Sequence, residues 1–122
     1  MRHILAASGL VASLAAAFAL TVQPADAAGG NVANGKKVFQ ANCATCHGTE
    51  ATKKPVLPNA ANFWKGEFKR TKGIPANVAK IVEKGGAGYG GGASAQMPAW
   101  GFLKAEDRKD VVAYVLSFKK KK

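Results

Sequence analysis

Residues that could bind a metal or form covalent bonds are scarce in this chain. It has two cysteines, Cys43 and Cys46, and two histidines, His3 and His47. A structural zinc site needs a fourth ligand besides Cys43, Cys46 and His47, and residues 28–122 have no further Cys or His. A thioredoxin-like redox motif needs a βαβ context, and the sequence shows no credible strand. A plain disulfide would leave the histidine next to the second cysteine unexplained.

Acidic residues are also few. The chain has seven Asp and Glu against 18 Lys and Arg, which gives a formal net charge of +11. A field of this sign speeds the encounter with acidic partners. Nucleic acid is another polyanion, but no nucleic-acid-binding motif is present, so we expect no nucleic-acid partner. The lysine run at 119–122 predicts only a weak contact with an anionic membrane surface.

A long apolar run occurs only near the start of the chain. After a short basic segment it covers residues 4–22, and Ala25 and Ala27 then give the A-x-A pattern of a signal-peptidase site. An uncleaved membrane anchor is the alternative, because a run of about 19 residues borders on a spanning length. Ala, Ser and Gly dilute the run, and the cleavage pattern follows it directly. We therefore predict a signal peptide over 1–27 and one exported, periplasmic domain over 28–122.

The first helix of that domain precedes and includes the cysteines. Asn34 is predicted as the N-cap of a helix through residues 36–42, which continues into Cys-Ala-Thr-Cys-His. Gly48 is placed to end it. The prolines of the next segment predict a loop with one short helical turn around residues 63–65.

Two further helices are predicted in the second half. One begins at Pro75, a residue suited to the first helical position, and ends at Gly85. Residues 85–92 include six glycines and predict a flexible surface loop. The last helix covers about Ala105–Phe118, and its apolar residues form one stripe. Acidic residues at its start and lysines at its end suit the helix dipole, although Lys104 is no conventional cap.

The Cys43-x-x-Cys46-His47 segment carries the chemistry, because it has the spacing of a c-type haem attachment site. Two thiols one helical turn apart can form thioethers with the two vinyl groups of one haem. The histidine that follows then lies under the iron as an axial ligand. Export agrees with this hypothesis, since c-type haems are attached outside the cytoplasm.

With these residues in place, the chain resembles the small monohaem class I cytochromes c, of the bacterial kind that is similar to cytochromes c6 and c-553. The resemblance covers nearly all of residues 28–122. It rests on five features in order: Gly35-x-x-x-Phe39, Cys43 to His47, Pro58, Met97-Pro98-Ala99 and the helical segment Val111 to Leu116.

The resemblance implies an all-α small cytochrome c fold of three to four helices, with long loops wrapped around one covalently bound haem c. It implies that Met97, the single methionine of residues 28–122, is the second axial ligand of the iron. It also implies that His47 donates its other ring N–H to a proline carbonyl, with Pro58 matching by spacing and Pro55 as the runner-up.

The family pattern further implies that the first and last helices cross where a small residue meets an aromatic one. Gly35, Phe39, Val111 and Tyr114 match that contact. Trp64 and Trp100 leave two interpretations open for each ring. The ring packs in the core, or its indole N–H reaches a haem propionate.

These inferences predict an electron carrier rather than an enzyme, because a six-coordinate iron leaves no open site for a substrate. We expect a monomer that accepts and passes electrons through acidic redox partners such as an oxidase, reductase or dehydrogenase. The alternatives are a fixed electron-transfer subunit of a dehydrogenase complex, and a haem-based sensor or peroxidase in which Met97 is labile.

Overall fold

The structure is a computed structural model that describes residues 29–119; the predicted signal peptide at 1–27 lies outside them. Within that range the chain is all helical and has no strand, as predicted. The helices are α1 (Val32–Asn42), α2 (Ala44–His47), α3 (Pro75–Gly88) and α4 (Ala105–Leu116), with 3-10 turns at Phe63–Lys65 and Gly92–Ser94. None of the helices described combines the length and apolar character that crossing a bilayer requires.

The crossing of α1 and α4 organises the fold, and it occurs at the predicted residues. A Cβ atom on Gly35 would lie 2.0 Å from the Asp110 carbonyl oxygen and 2.8 Å from the Tyr114 Cβ, so only glycine allows this approach. One turn further along α1, the rings of Phe39 and Tyr114 are 5.3 Å apart. Phe39, Val111 and Tyr114 belong to one buried cluster, so the predicted helix contact is confirmed.

The beginning of α1 differs from the prediction, because its N-cap is Asn31 and not Asn34. The Asn31 side-chain oxygen accepts a hydrogen bond from the Asn34 backbone N–H at 3.0 Å. Asn34 instead lies in the first turn, where its side-chain amide donates to Asp107 at 3.0 Å and to Asp110 at 2.7 Å. These α4 carboxylates are more than 70 residues away in sequence, so local capping rules could not reveal them.

The second half confirms most of the predicted elements but changes two boundaries. Pro75 begins α3, as predicted, and the helical turn at Phe63–Lys65 is present. The regular path of α3 breaks at Gly85, where φ is +70°, but the helix resumes and reaches Gly88. The flexible surface loop predicted from residue 85 onward is therefore wrong for its first part, and Gly85 and the next glycine are buried. Helix α4 ends two residues earlier than predicted.

The core is a single cluster of large apolar side chains contributed by α1, α3 and α4. Partly buried residues from the connecting segments pack against it, among them Cys43, Phe63, Trp64, Met97 and Trp100. Residues from both predicted ligand segments thus border the same apolar core. The buried members are Val38, Phe39, Val78, Val82, Val111, Val112, Tyr114, Val115 and Leu116.

Candidate functional site

The two cysteines lie on one helical turn at the junction of α1 and α2. The Cys43 N–H donates to the Phe39 carbonyl at 2.7 Å and so closes α1, and the His47 N–H donates to the Cys43 carbonyl at 3.0 Å. Cys43 and Cys46 are half-buried and form no disulfide. Burial, together with the charge of Cys46, raises the pKa of the Cys43 thiol to about 11. Because the two sulfurs are not bonded to each other, both are available to form thioethers with a haem. A redox-disulfide site would instead pair them.

His47 is oriented by a backbone carbonyl, as predicted, but the carbonyl belongs to Ala61 and not to Pro58 or Pro55. Its Nδ1 lies 3.1 Å from the Ala61 oxygen. The physical reason is the path of the loop: the N–H groups of residues 56 and 57 both donate to the Cys46 carbonyl, at 2.9 and 3.2 Å. These bonds fold the loop back onto the cysteine turn before Pro58, and Ala61 is the residue whose carbonyl reaches the ring.

The hydrogen bond and the burial of His47 together prepare the ring to act as a ligand. A carbonyl can only accept, so Nδ1 carries the proton and Nε2 keeps its lone pair. Burial lowers the pKa of His47, while the bond to Ala61 raises it by a smaller amount, so the neutral ring is favoured. The Phe63 ring stacks on the imidazole at 4.7 Å and fixes its plane. Sequence reasoning identified neither Ala61 nor the stacking role of Phe63.

Trp64 has a different function from the haem-propionate contact considered for it. Its indole N–H donates to the His47 carbonyl at 3.2 Å, which ties the end of α2 to the 3-10 turn. Its ring packs against Phe118 with centroids 4.8 Å apart. The core-packing interpretation is therefore correct for Trp64. Trp100 also packs against the core cluster, and its contact with a propionate remains a prediction.

Met97 is half-buried against the core and is held in place by backbone contacts with α3. The Gly86 N–H donates to the Met97 carbonyl, and the Trp100 N–H donates to the Val82 carbonyl, both at 2.9 Å. A Cβ on Gly86 would lie 1.4 Å from the Ser94 carbonyl oxygen. Gly85 and Gly86 therefore allow a close approach of two backbones, which explains why these two glycines are buried and do not belong to a surface loop.

The residues present fit a covalently bound haem. One segment offers two free thiols and an imidazole with an available nitrogen, and another offers a thioether that borders the same apolar core. Across residues 29–119 no group of three or more His, Cys, Asp and Glu side chains is arranged to hold a bare metal ion. A groove of about 440 Å³ between α3 and α4 is lined by none of the four predicted haem-binding residues.

Comparison with known proteins gives three consistent similarities. Residues 32–119 match the family described as cytochrome c. A cytochrome c-555 from Prosthecochloris aestuarii is 34% identical over 102 residues, which cover 79% of this chain and 96% of that protein. The solved structure of cytochrome c6 from the diatom Phaeodactylum tricornutum is similar with a TM-score of 0.51 and 26% identity, over 72% of this chain and 93% of the other.

Proposed function

The chain belongs to the cytochrome c family, of the class I monohaem c6 and c-555 type, and we propose that it is a periplasmic one-electron carrier. Family membership implies one covalently bound haem c. We assign its attachment to Cys43 and Cys46 and its axial ligation to His47 and Met97. The observation that carries this assignment is the hydrogen bond from His47 Nδ1 to the Ala61 carbonyl, because it leaves Nε2 as the free ligand nitrogen one residue after the second thiol.

The side chains have separate tasks in this function. When bound, haem supplies the one-electron chemistry, and the protein supplies ligands, burial and access. Burial favours the neutral form of His47 by lowering its pKa, the Ala61 carbonyl keeps the ring proton on Nδ1, and Phe63 fixes the plane of the ring. The Met97 thioether favours the ferrous state and so raises the potential. If His47 and Met97 both held the iron, no site on it would be left for a substrate, which is why we propose a carrier and not an enzyme.

Attachment and carrier function are tested on the purified protein in two steps. Acid–acetone extraction should leave the haem on the chain, with a mass increase of one haem. A potentiometric titration should then show one reversible one-electron step, and carbon monoxide should not bind rapidly to the reduced protein. Extractable haem would refute the attachment, and rapid carbon monoxide binding would favour the sensor or peroxidase alternative.

The partners we propose are acidic redox proteins, which the net charge of +11 would attract. Four lysines suited to this task are exposed. Within residues 29–119 the ion pair formed is that of Lys36 with Glu50, at 2.8 Å, and it includes none of the four. They lie on the loop after α2 and on α3: Lys53, Lys54, Lys80 and Lys84.

Replacing these four lysines with Gln should slow electron transfer to an acidic protein, most at low salt, where the Debye length is about 30 Å at 0.01 M. Replacing them with Arg keeps the charge and should preserve the rate. Stopped-flow measurements across a range of salt concentrations test this. A wild-type rate that does not depend on salt would contradict electrostatic steering and would leave lipid binding to account for the charge.

A further inference from the structure

Phe102 is a large apolar side chain that the fold leaves in solvent. It is 77% exposed, more than the other large exposed apolar residues of the described chain, which are Val56 at 66%, Ile74 at 45% and Leu57 at 36%. Single exposed apolar residues are common on proteins, so exposure alone indicates nothing. What distinguishes Phe102 is how firmly its backbone is held.

The turn that carries Phe102 is bound to both α3 and α4. The Trp100 N–H donates to the Val82 carbonyl on α3, and the Leu103 N–H donates to the Trp100 carbonyl at 3.0 Å, which closes the turn. From α4, the Arg108 guanidinium donates to the carbonyls of residues 101 and 103, on either side of Phe102. The side chain is therefore presented from a backbone that is already ordered, so little conformational entropy remains to be lost on binding.

A second aromatic ring supports the first. The centroid of the Trp100 ring lies 5.6 Å from that of the Phe102 ring, and Trp100 also packs against the core cluster. Trp100 is only three residues beyond Met97, and the 97–100 segment is hydrogen-bonded to α3 at both of its ends. The aromatic pair therefore continues from the segment that holds the proposed sulfur ligand to the protein surface.

We propose that Phe102, supported by Trp100, is the apolar contact through which this chain docks an acidic electron-transfer protein; this rests on the proposed carrier function. The partner's chemistry follows from charge: a surface with carboxylates around an apolar hollow complements a chain of net charge +11. A second copy of this chain is disfavoured, because it would bring the same positive charge. Lysines guide the encounter at a distance, and the pre-ordered aromatic ring sets the position at contact.

The test uses reduced flavodoxin, an acidic electron-transfer protein that carries a flavin, as the probe. The rate of electron transfer to the oxidised haem-bound protein is measured for wild type, Phe102→Ala, Phe102→Tyr and Ile74→Ala. Ile74→Ala is the matched control, because it removes another exposed apolar side chain and lies outside the loop that packs on the cysteine turn. Reduction by dithionite, which needs no docking surface, is measured in parallel.

We expect Phe102→Ala to slow the flavodoxin reaction by about fivefold or more at both low and high salt, as loss of an aromatic anchor should. Phe102→Tyr should restore most of the rate, and Ile74→Ala should stay near wild type. All four proteins should react equally with dithionite. This pattern, independent of salt, separates the aromatic contact from the effect of the lysines.

Several results would overturn the inference. A Phe102→Ala rate equal to wild type would do so, as would equal losses in Phe102→Ala and Ile74→Ala. Sedimentation that shows dimers lost in Phe102→Ala would assign the ring to a second copy, and binding to phosphatidylglycerol vesicles that requires Phe102 would assign it to a membrane. If wild type accepted electrons from dithionite but not from flavodoxin, the acidic partner would be wrong while the carrier function stood. Failure with both would instead contradict the carrier function.

Discussion

The cysteine–histidine turn and the methionine segment border the same core, but they are built in different ways. Cys43, Cys46 and His47 lie within five consecutive residues, and hydrogen bonds from neighbouring loops fix the histidine. Met97 is positioned by two backbone hydrogen bonds and by a close approach to glycines. The residues of the cysteine–histidine turn are therefore specified by a short sequence motif. The position of Met97 depends instead on how closely two distant backbones can pack.

The largest effect should come from removing the attachment residues. A Cys43→Ser and Cys46→Ser double variant loses both thioethers, and about 95 residues with a limited apolar core should not fold well without the group that completes it. We expect circular dichroism to show a largely unfolded chain. Thr45→Ser, an exposed change between the same cysteines, should keep both haem and helicity. A cooperative, helical double variant would contradict the claim that haem is part of the core.

The methionine side should be sensitive to a single added methyl group. In Gly86→Ala the new Cβ would lie 1.4 Å from the Ser94 carbonyl oxygen, so α3 and the methionine segment must separate. Overpacking typically costs about 1–3 kcal/mol, and a clash with backbone should fall at about 3 kcal/mol. Denaturant unfolding of the haem-bound protein measures the loss, and the potential should fall if Met97 moves away.

Gly91→Ala is the control for that change. Its φ is +65°, so alanine is strained there, but a Cβ would meet nothing within 4 Å. We therefore expect some loss of stability with an unchanged potential. If both variants lowered the potential equally, the close contact at Gly86 would not be what positions Met97.

A smaller effect is expected on the histidine side, where the support is shared among several groups. Trp64→Phe keeps the ring contact with Phe118 but removes the hydrogen bond to the His47 carbonyl. Such a bond contributes about 0.5–1.5 kcal/mol. Thermal unfolding should show a loss of this size, and the potential should change little because Ala61 and Phe63 still orient the ring. A large shift in potential would mean that Trp64, and not those two residues, controls the ligand.

The difference between the short cysteine–histidine motif and the packed methionine segment also explains which parts of the site the sequence could predict. The contact of Gly35 with α4 depends on residue identity and was predicted correctly. The attachment motif also depends on residue identity, and the assignment of the haem to Cys43 and Cys46 stays a prediction. The acceptor for His47 was predicted as Pro58, but any residue offers a carbonyl, and only the path of the loop selects Ala61. No local pattern marks such a choice.

Helix ends were uncertain for a related reason. Asn31 and Asn34 are equally good caps by type, and the choice is made by carboxylates on α4. The glycine content from Gly85 onward indicates a flexible loop by composition alone. In the structure, the lack of a side chain at Gly85 instead allows two backbones to come into buried contact. Composition shows that side chains are absent; tertiary packing determines what takes their place.

The central claim, that Met97 completes the site opposite His47, is tested most directly by the near-infrared sulfur-to-iron band of the oxidised protein. Met97→His keeps an axial ligand but removes the thioether. We predict that wild type shows the weak band and that Met97→His lacks it, with a potential lowered within the roughly 0.8 V range that axial ligands span. With no other methionine in residues 28–122, a band that persisted in Met97→His would contradict sulfur ligation altogether.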